Sequence, residues 1–173
     1  MADSRAILMT LIQSTTVELF QFYGIAVAPL AVPLPLPSKL DQHVGGFGAF
    51  AGADFNGTLC LLVPKDVFFL TKIEGLRHCS TLDWAKELTN QLLGRLKNRL
   101  VHYQVFVNGG GVPSAIDGKS LQLRVAESNP VVNTVFRTIR GDIFVTICGS
   151  IDYSKLRYSG ANLTASEGEI ILF

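Results

Sequence analysis

Twice along this chain a long stretch of helical periodicity is followed, after a connection, by a long hairpin, and this repeated order constrains the fold more than any other feature. From Ser4 to Tyr23 the apolar residues Ile7, Leu8, Leu11, Ile12, Val17, Leu19 and Phe20 recur at near-helical spacing, with Gly24 placed as a stop. A second helix is expected from about Leu82 to His102, capped by Ser80 or Thr81. After the first helix, the strands Gly46 to Phe55 and Thr58 to Val63 are expected to flank a turn at Asn56-Gly57, where both residues tolerate positive φ. After the second, Val131 to Ile139 and Ile143 to Ile151 read as a hairpin about Arg140, Gly141 and Asp142. Segments 55–62 and 139–146 echo one another. The pattern predicts an α+β fold: an antiparallel sheet with two long helices packed beside it, in a pseudo-two-fold helix-plus-hairpin repeat.

The remaining segments fit around that frame. Ile25 to Pro37 is apolar but carries Pro29, Pro33, Pro35 and Pro37, which rules out a helix or a central strand; an extended connector packed on the sheet, over about residues 25–40, is expected. A short helix is expected after Asp66, a strand over Tyr103 to Val107, a break at Gly109 to Gly111, and a turn at Asp117-Gly118 into a strand over Ser120 to Ala126. Glu169 to Phe173 reads as a terminal strand within a less regular tail over about 152–173. At 173 residues, 48% of them hydrophobic and 17% charged, the chain has the apolar content to form one domain over 1–173.

Composition also excludes partners. A net charge of +1, with no run of Lys or Arg, argues against nucleic acid or an anionic membrane surface. No apolar run reaches the roughly 20 residues that a membrane-spanning helix needs, and no secretion signal is apparent, so a cytoplasmic location is expected. Cys60, Cys79 and Cys148 are odd in number and widely spaced, which reads as reduced thiols. Neither these nor His43, His78 and His102 show metal-ligand spacing, so no metal or cofactor is assigned. The glycines Gly45, Gly46, Gly48 and Gly52 lack both a dinucleotide-loop register and a following lysine. The Arg140-Gly141-Asp142 tripeptide is read as turn chemistry, and Asn56 and Asn162 head glycosylation sequons in form only.

The polar face of the second helix carries the candidate chemistry. At about 100° per residue, Asp83, Glu87, Asn90 and Gly94 fall within one narrow arc, while Ala85, Leu88, Leu92 and Leu96 face the other way. By itself Glu-x-x-Asn is a common solvated helical face. Here it stands in a longer arrangement: Asp83, three residues, Glu87, two residues, Asn90, then twenty-two residues to Pro113. This spacing, together with the segments 87–97 and 113–118, resembles the chemotaxis phosphatase family of CheC, CheX and FliY, most of all its CheX-like members, over most of Gly45 to Ile151.

The resemblance implies a phosphatase acting on the phosphoaspartate of a CheY-like response-regulator receiver, which brings its own Mg²⁺ and lysine. It implies that Asn90 positions the attacking water, that Glu87 bonds the receiver's lysine, that Asp83, Gly94 and Pro113 have supporting roles, and that the protein forms a homodimer. A carboxamide suits the first task because it both accepts and donates hydrogen bonds without adding negative charge beside a phosphoryl group. In the first helix Ser14, Glu18 and Gln21 echo the motif spacing, but Gln replaces Asn and Val44 stands at the proline position, which favours one working site with the first helix as scaffold. The alternatives are a non-catalytic module that binds a receiver or a flagellar-switch component, and a small-molecule binding domain built on the glycine-rich hairpin.

Overall fold

The computed structural model describes residues 4–32, 34–35, 37, 39–73, 79–121 and 131–156. Helix α1 (Ser4–Phe22) buries Leu8, Leu11, Ile12, Leu19 and Phe20. It ends where Ile25 N–H donates to the Phe20 carbonyl and Gly24 N–H to that of Gln21, a Schellman arrangement centred on Gly24 as the stop. Helix α2 (Thr81–Val101) is capped by Ser80 and buries Trp84, Ala85, Leu88, Leu92, Leu93, Leu96 and Leu100.

The sheet is antiparallel throughout. Its strands are β1 (Ala28–Pro29), β2 (His43–Ala51), β3 (Phe55–Pro64), β4 (Asn108–Gly109), β5 (Ser114–Asp117), β6 (Val131–Thr138) and β7 (Gly141–Ile151). They are ordered β1-β6-β7-β3-β2-β4, with β5 also paired to β2. The two hairpins, β2–β3 and β6–β7, lie side by side, joined by β3 and β7 from Phe55↔Ile151 to Leu62↔Phe144. The α+β architecture expected from the sequence is the one observed.

Both helices cover one sheet face, where Leu59, Leu61, Val63, Val145 and Ile147 meet Leu8, Leu19, Leu88 and Leu92 in one apolar core. The opposite face buries Leu40, Cys60, Leu62, Val135 and Phe144, against which Leu30, Leu34, Phe47 and Leu121 pack. Strand β3 is thus buried on both sides, which is why its second half reads as an unbroken apolar run rather than an alternation. The described part of the proline-rich connector is extended and packed on the sheet: Pro29 sits in the edge strand β1, and Leu30 N–H donates to the Val135 carbonyl.

Several local expectations are corrected. Asn56-Gly57 is not the turn of the first hairpin but the start of β3, and the chain reverses over Gly52, Ala53 and Asp54 instead. The Asn56 carboxamide accepts from Gly52 N–H and donates to the Gly52 carbonyl, closing that turn from the strand side. Gly57 is needed for another reason, since a Cβ there would lie 2.3 Å from the Cys148 carbonyl oxygen of β7. The second hairpin turns at Ile139-Arg140, one residue earlier than expected, with Thr138 opposite Gly141.

Tyr103 to Val107 forms no strand. Val105 N–H donates to the Leu100 carbonyl and Gln104 takes φ 59°, so these residues wrap the C-terminus of α2. Gly109, expected in a break, pairs with Phe50, and Ser114–Asp117 forms a strand that local sequence did not announce. Gly118–Ser120 is a 3-10 turn capped by Asp117, while 122–126 and the expected terminal strand at 169–173 lie outside the described residues. The short helix after Asp66 is a 3-10 helix, Lys65–Leu70.

Candidate active site

The site is built from the first three turns of α2. The Ser80 hydroxyl accepts from Asp83 N–H at 3.1 Å and donates to Asp83 Oδ2 at 2.6 Å. This satisfies one of the free N–H groups of the first turn and places a carboxylate where the helix dipole favours it. The Ser80 hydroxyl first, and Lys86 Nζ at 3.6 Å after it, hold the Asp83 carboxyl below the usual carboxylate range. Asp83 therefore has a structural duty at the helix start. Replacing Ser80 by Ala is expected to cost about 1 kcal/mol through the lost cap, read as a lowered denaturation midpoint at neutral pH. Because the folded-state pKa of Asp83 is depressed, the carboxylate part of this contribution is present above its unfolded value and disappears as pH falls through the folded one. The gap between the two proteins should therefore narrow in acid.

Burial of Ala85, Leu88, Leu92 and Leu96 leaves Asp83, Glu87, Asn90 and Gly94 exposed, as helical phase requires. Glu87 Oε1 accepts from Gln91 Nε2 at 2.6 Å. Asn90 is different, because its carboxamide makes no hydrogen bond to any described residue and faces solvent with donor and acceptor both available.

Pro113 reaches this face by tertiary structure. After α2 the chain reverses and pairs twice with β2, first through β4 at Phe50 and Ala51, then through β5 at Val44–Phe47. Between these pairings, Gly110 N–H donates to the Ala49 carbonyl at 3.1 Å and Gly111 adopts φ +111°. Pro113 thereby sits where β2 meets α2, its Cγ 3.9 Å from the position a Gly48 Cβ would occupy. An open cleft of about 320 Å³ results, lined by Asp83, Lys86, Glu87 and Asn90 from the helix and by Gly111, Val112 and Pro113 from the loop. All four motif residues, Asp83, Glu87, Asn90 and Pro113, are thus brought together. Gly94 lies outside the lining, and a Cβ there would meet nothing within 4 Å.

Sequence reasoning missed two of the lining side chains. Lys86 follows from helical phase, one turn after Asp83, once a cleft is known to lie there. Val112 is 94% exposed, and its only sequence signal is an apolar residue held between Gly111 and Pro113.

The echo of the motif in α1 has another use: Ser14 Oγ and Glu18 Oε2 both accept from the Arg99 guanidinium of α2, tying the helices together. Further along, the Arg95 guanidinium lies over the Phe22 ring at 5.9 Å. Burial first, and the Glu87 carboxylate after it, push the Tyr23 phenol up. Among the described residues no three His, Cys, Asp or Glu side chains are grouped so as to hold a metal ion. No described helix is long and apolar enough to cross a membrane. Cys60 is buried in β3 and its thiol is pushed up to about 12, first by burial; Cys79 is exposed and Cys148 half-buried, and all three are free thiols.

The fold that carries this cleft is that of the CheX and CheC-like chemotaxis proteins, as the sequence resemblance implied. Chemotaxis protein CheX from Vibrio vulnificus superposes with a TM-score of 0.66 at 17% identity, over 82% of this chain and 97% of that one. CheX from Desulfovibrio desulfuricans gives 0.66 at 20% identity, over 82% and 97%. The CheX–CheY–BeF3–Mg²⁺ complex from Borrelia burgdorferi matches with a TM-score of 0.58 at 11% identity, over 83% of this chain and 97% of the matched one. No protein-family model and no curated protein matches the sequence.

Proposed function

We propose that this chain is a CheX-like member of the CheC, CheX and FliY family and a phosphatase for the aspartyl phosphate of a CheY-like receiver domain. The observation that carries the reading is the cleft itself. Glu87 and Asn90 are exposed on one helical face, and Pro113, distant in sequence, closes on them at the spacing of the family motif. Support comes from the Borrelia burgdorferi relative of this fold, which is found in complex with CheY.

The chemistry follows from charge. Two carboxylates and one ammonium line the cleft, and the ammonium is already drawn towards Asp83. Such a surface repels an uncompensated phosphoryl dianion, so the cations must arrive with the substrate, as the receiver's Mg²⁺ and lysine. Glu87 takes the receiver's lysine as its partner across the interface, which fixes the docking geometry. Asn90 accepts a hydrogen bond from a water and donates one to a phosphoryl oxygen, holding the water opposite the aspartyl oxygen. The water oxygen forms a bond to phosphorus as the acyl phosphate P–O bond breaks, returning the receiver's aspartate as a carboxylate and releasing inorganic phosphate. The same reading places the protein in the cytoplasm, as a homodimer acting in chemotaxis or a related two-component pathway.

The test is the phosphoaspartate lifetime of CheY-type receivers labelled with acetyl phosphate and Mg²⁺, with and without this protein. A shortened lifetime is expected. Binding to a BeF3-loaded receiver with no shortening would decide for a non-catalytic module. Glu87→Ala is expected to weaken receiver binding as well as turnover, and the binding loss should shrink at high salt, because the lost contact is between charges at a solvated rim.

A further inference from the structure

An exposed glutamate on a helix samples many rotamers, and ordering it on docking costs side-chain entropy. Glu87 is not left to do so. Gln91, one turn along and only part-exposed, donates from Nε2 to Glu87 Oε1 at 2.6 Å. The Tyr23 phenol, just past the end of α1, lies within electrostatic reach of both the Gln91 carboxamide and the Glu87 carboxylate. Tyr23 is itself fixed: it is 3% exposed, and its ring packs edge-on against Trp84 at 5.3 Å, which packs against Phe68 at 4.5 Å. A phenol fixed in the apolar core therefore stands close to the carboxamide that holds one oxygen of an exposed carboxylate.

We propose that Gln91 is the positioning residue that fixes the Glu87 carboxylate for a cationic group of the partner. The inference rests on the reading of Glu87 as the docking carboxylate. Gln has the chemistry for this role. As a neutral donor it engages Oε1 without cancelling the charge, and Oε2 is left for the partner's ammonium. Lys or Arg at the same position would also orient Glu87, but would compete with the partner for it.

The experiment uses the full chain and its Gln91→Met, Gln91→Lys and Tyr23→Phe variants. Affinity is measured against a CheY-type receiver loaded with Mg²⁺ and BeF3, turnover against the same receiver phosphorylated with acetyl phosphate, and folding by thermal melting. Gln91→Met keeps length and helix propensity, and is expected to raise Kd and KM by about 3- to 10-fold with kcat unchanged, because Asn90 is untouched. Tyr23→Phe should act in the same direction and more weakly, and Gln91→Lys should lose more affinity than Gln91→Met. In a Glu87→Ala background Gln91→Met should have no further effect. A Gln91→Met protein with wild-type Kd and KM, or with the same loss in the Glu87→Ala background, would overturn the assignment of Gln91 alone. Failure of the wild-type chain to bind any receiver would overturn the docking reading of Glu87, and the positioning role with it.

Discussion

Asn90→Ala is expected to lengthen the phosphoaspartate lifetime of a receiver in the presence of this protein by roughly 10² or more, the scale for losing one preorganised transition-state contact. Affinity for the BeF3-loaded receiver and the melting temperature should stay near wild type. The expectation of an intact fold comes from the structure: the carboxamide bonds no described residue, so its removal leaves no buried group unpaired. The selectivity for rate comes from the chemistry, since Asn90 is assigned to water placement and not to docking. Parallel measurement of lifetime and Kd separates the two. A variant that loses affinity and rate together would place Asn90 in the docking surface, and unchanged lifetime would remove it from the reaction. Asn90→Asp should also be slow, because a carboxylate there would face the phosphoryl oxygens with like charge.

Gly46→Ala is expected to damage the fold and the site at once. A Cβ at Gly46 would lie 2.0 Å from Thr89 Oγ1 and 2.8 Å from the Ala85 carbonyl oxygen, so α2 must move away from β2 to admit it. Thr89 is buried and its hydroxyl donates to the Ala85 carbonyl at 2.7 Å, leaving no flexible side-chain end to swing aside. Overpacking of this kind costs about 1–3 kcal/mol, seen as a lowered urea midpoint with unchanged slope. Any shift of α2 carries Glu87 and Asn90 away from Pro113, so turnover should fall even where the protein remains folded. Adding Thr89→Ala removes the nearest clash and should recover part of the stability, though not all, because the Ala85 carbonyl remains. Full stability in the single variant would show that the helix does not lie on β2 as closely as described.

The same glycine shows how local sequence and tertiary context divide. Gly45, Gly46 and Gly48 stand out as a cluster, and their sequence register excludes a phosphate loop without saying what they are for. Gly46 and Gly48 let a helix from elsewhere in the chain approach the strand, with Gly48 beneath Leu93, Thr89 and Pro113, while Gly45 faces the other side, against Leu121 and Phe47. Asn56-Gly57 misled in a similar way. Its residues suit a tight turn, but the close approach of β7 claims Gly57, and the Asn56 side chain closes a turn just upstream of itself. Tyr103 to Val107 forms no strand because an apolar run after a helix can pack inward without pairing: Val105 and Val107 are buried while the backbone is still leaving α2.

By itself the sequence determined the two long helices, the hairpins that follow them, the antiparallel α+β class and the exposed face bearing Glu87 and Asn90. These rest on period, capping and helical phase, which act over one or two turns and so are written locally. Only the tertiary structure decided that Pro113 closes the cleft, that Lys86 and Val112 line it, that Glu18 is bound to Arg99, and that Tyr23 stands beside Glu87 and Gln91. Each of these depends on β4 and β5 pairing with β2 or on α1 packing against α2, contacts between residues far apart in the chain that no local pattern encodes.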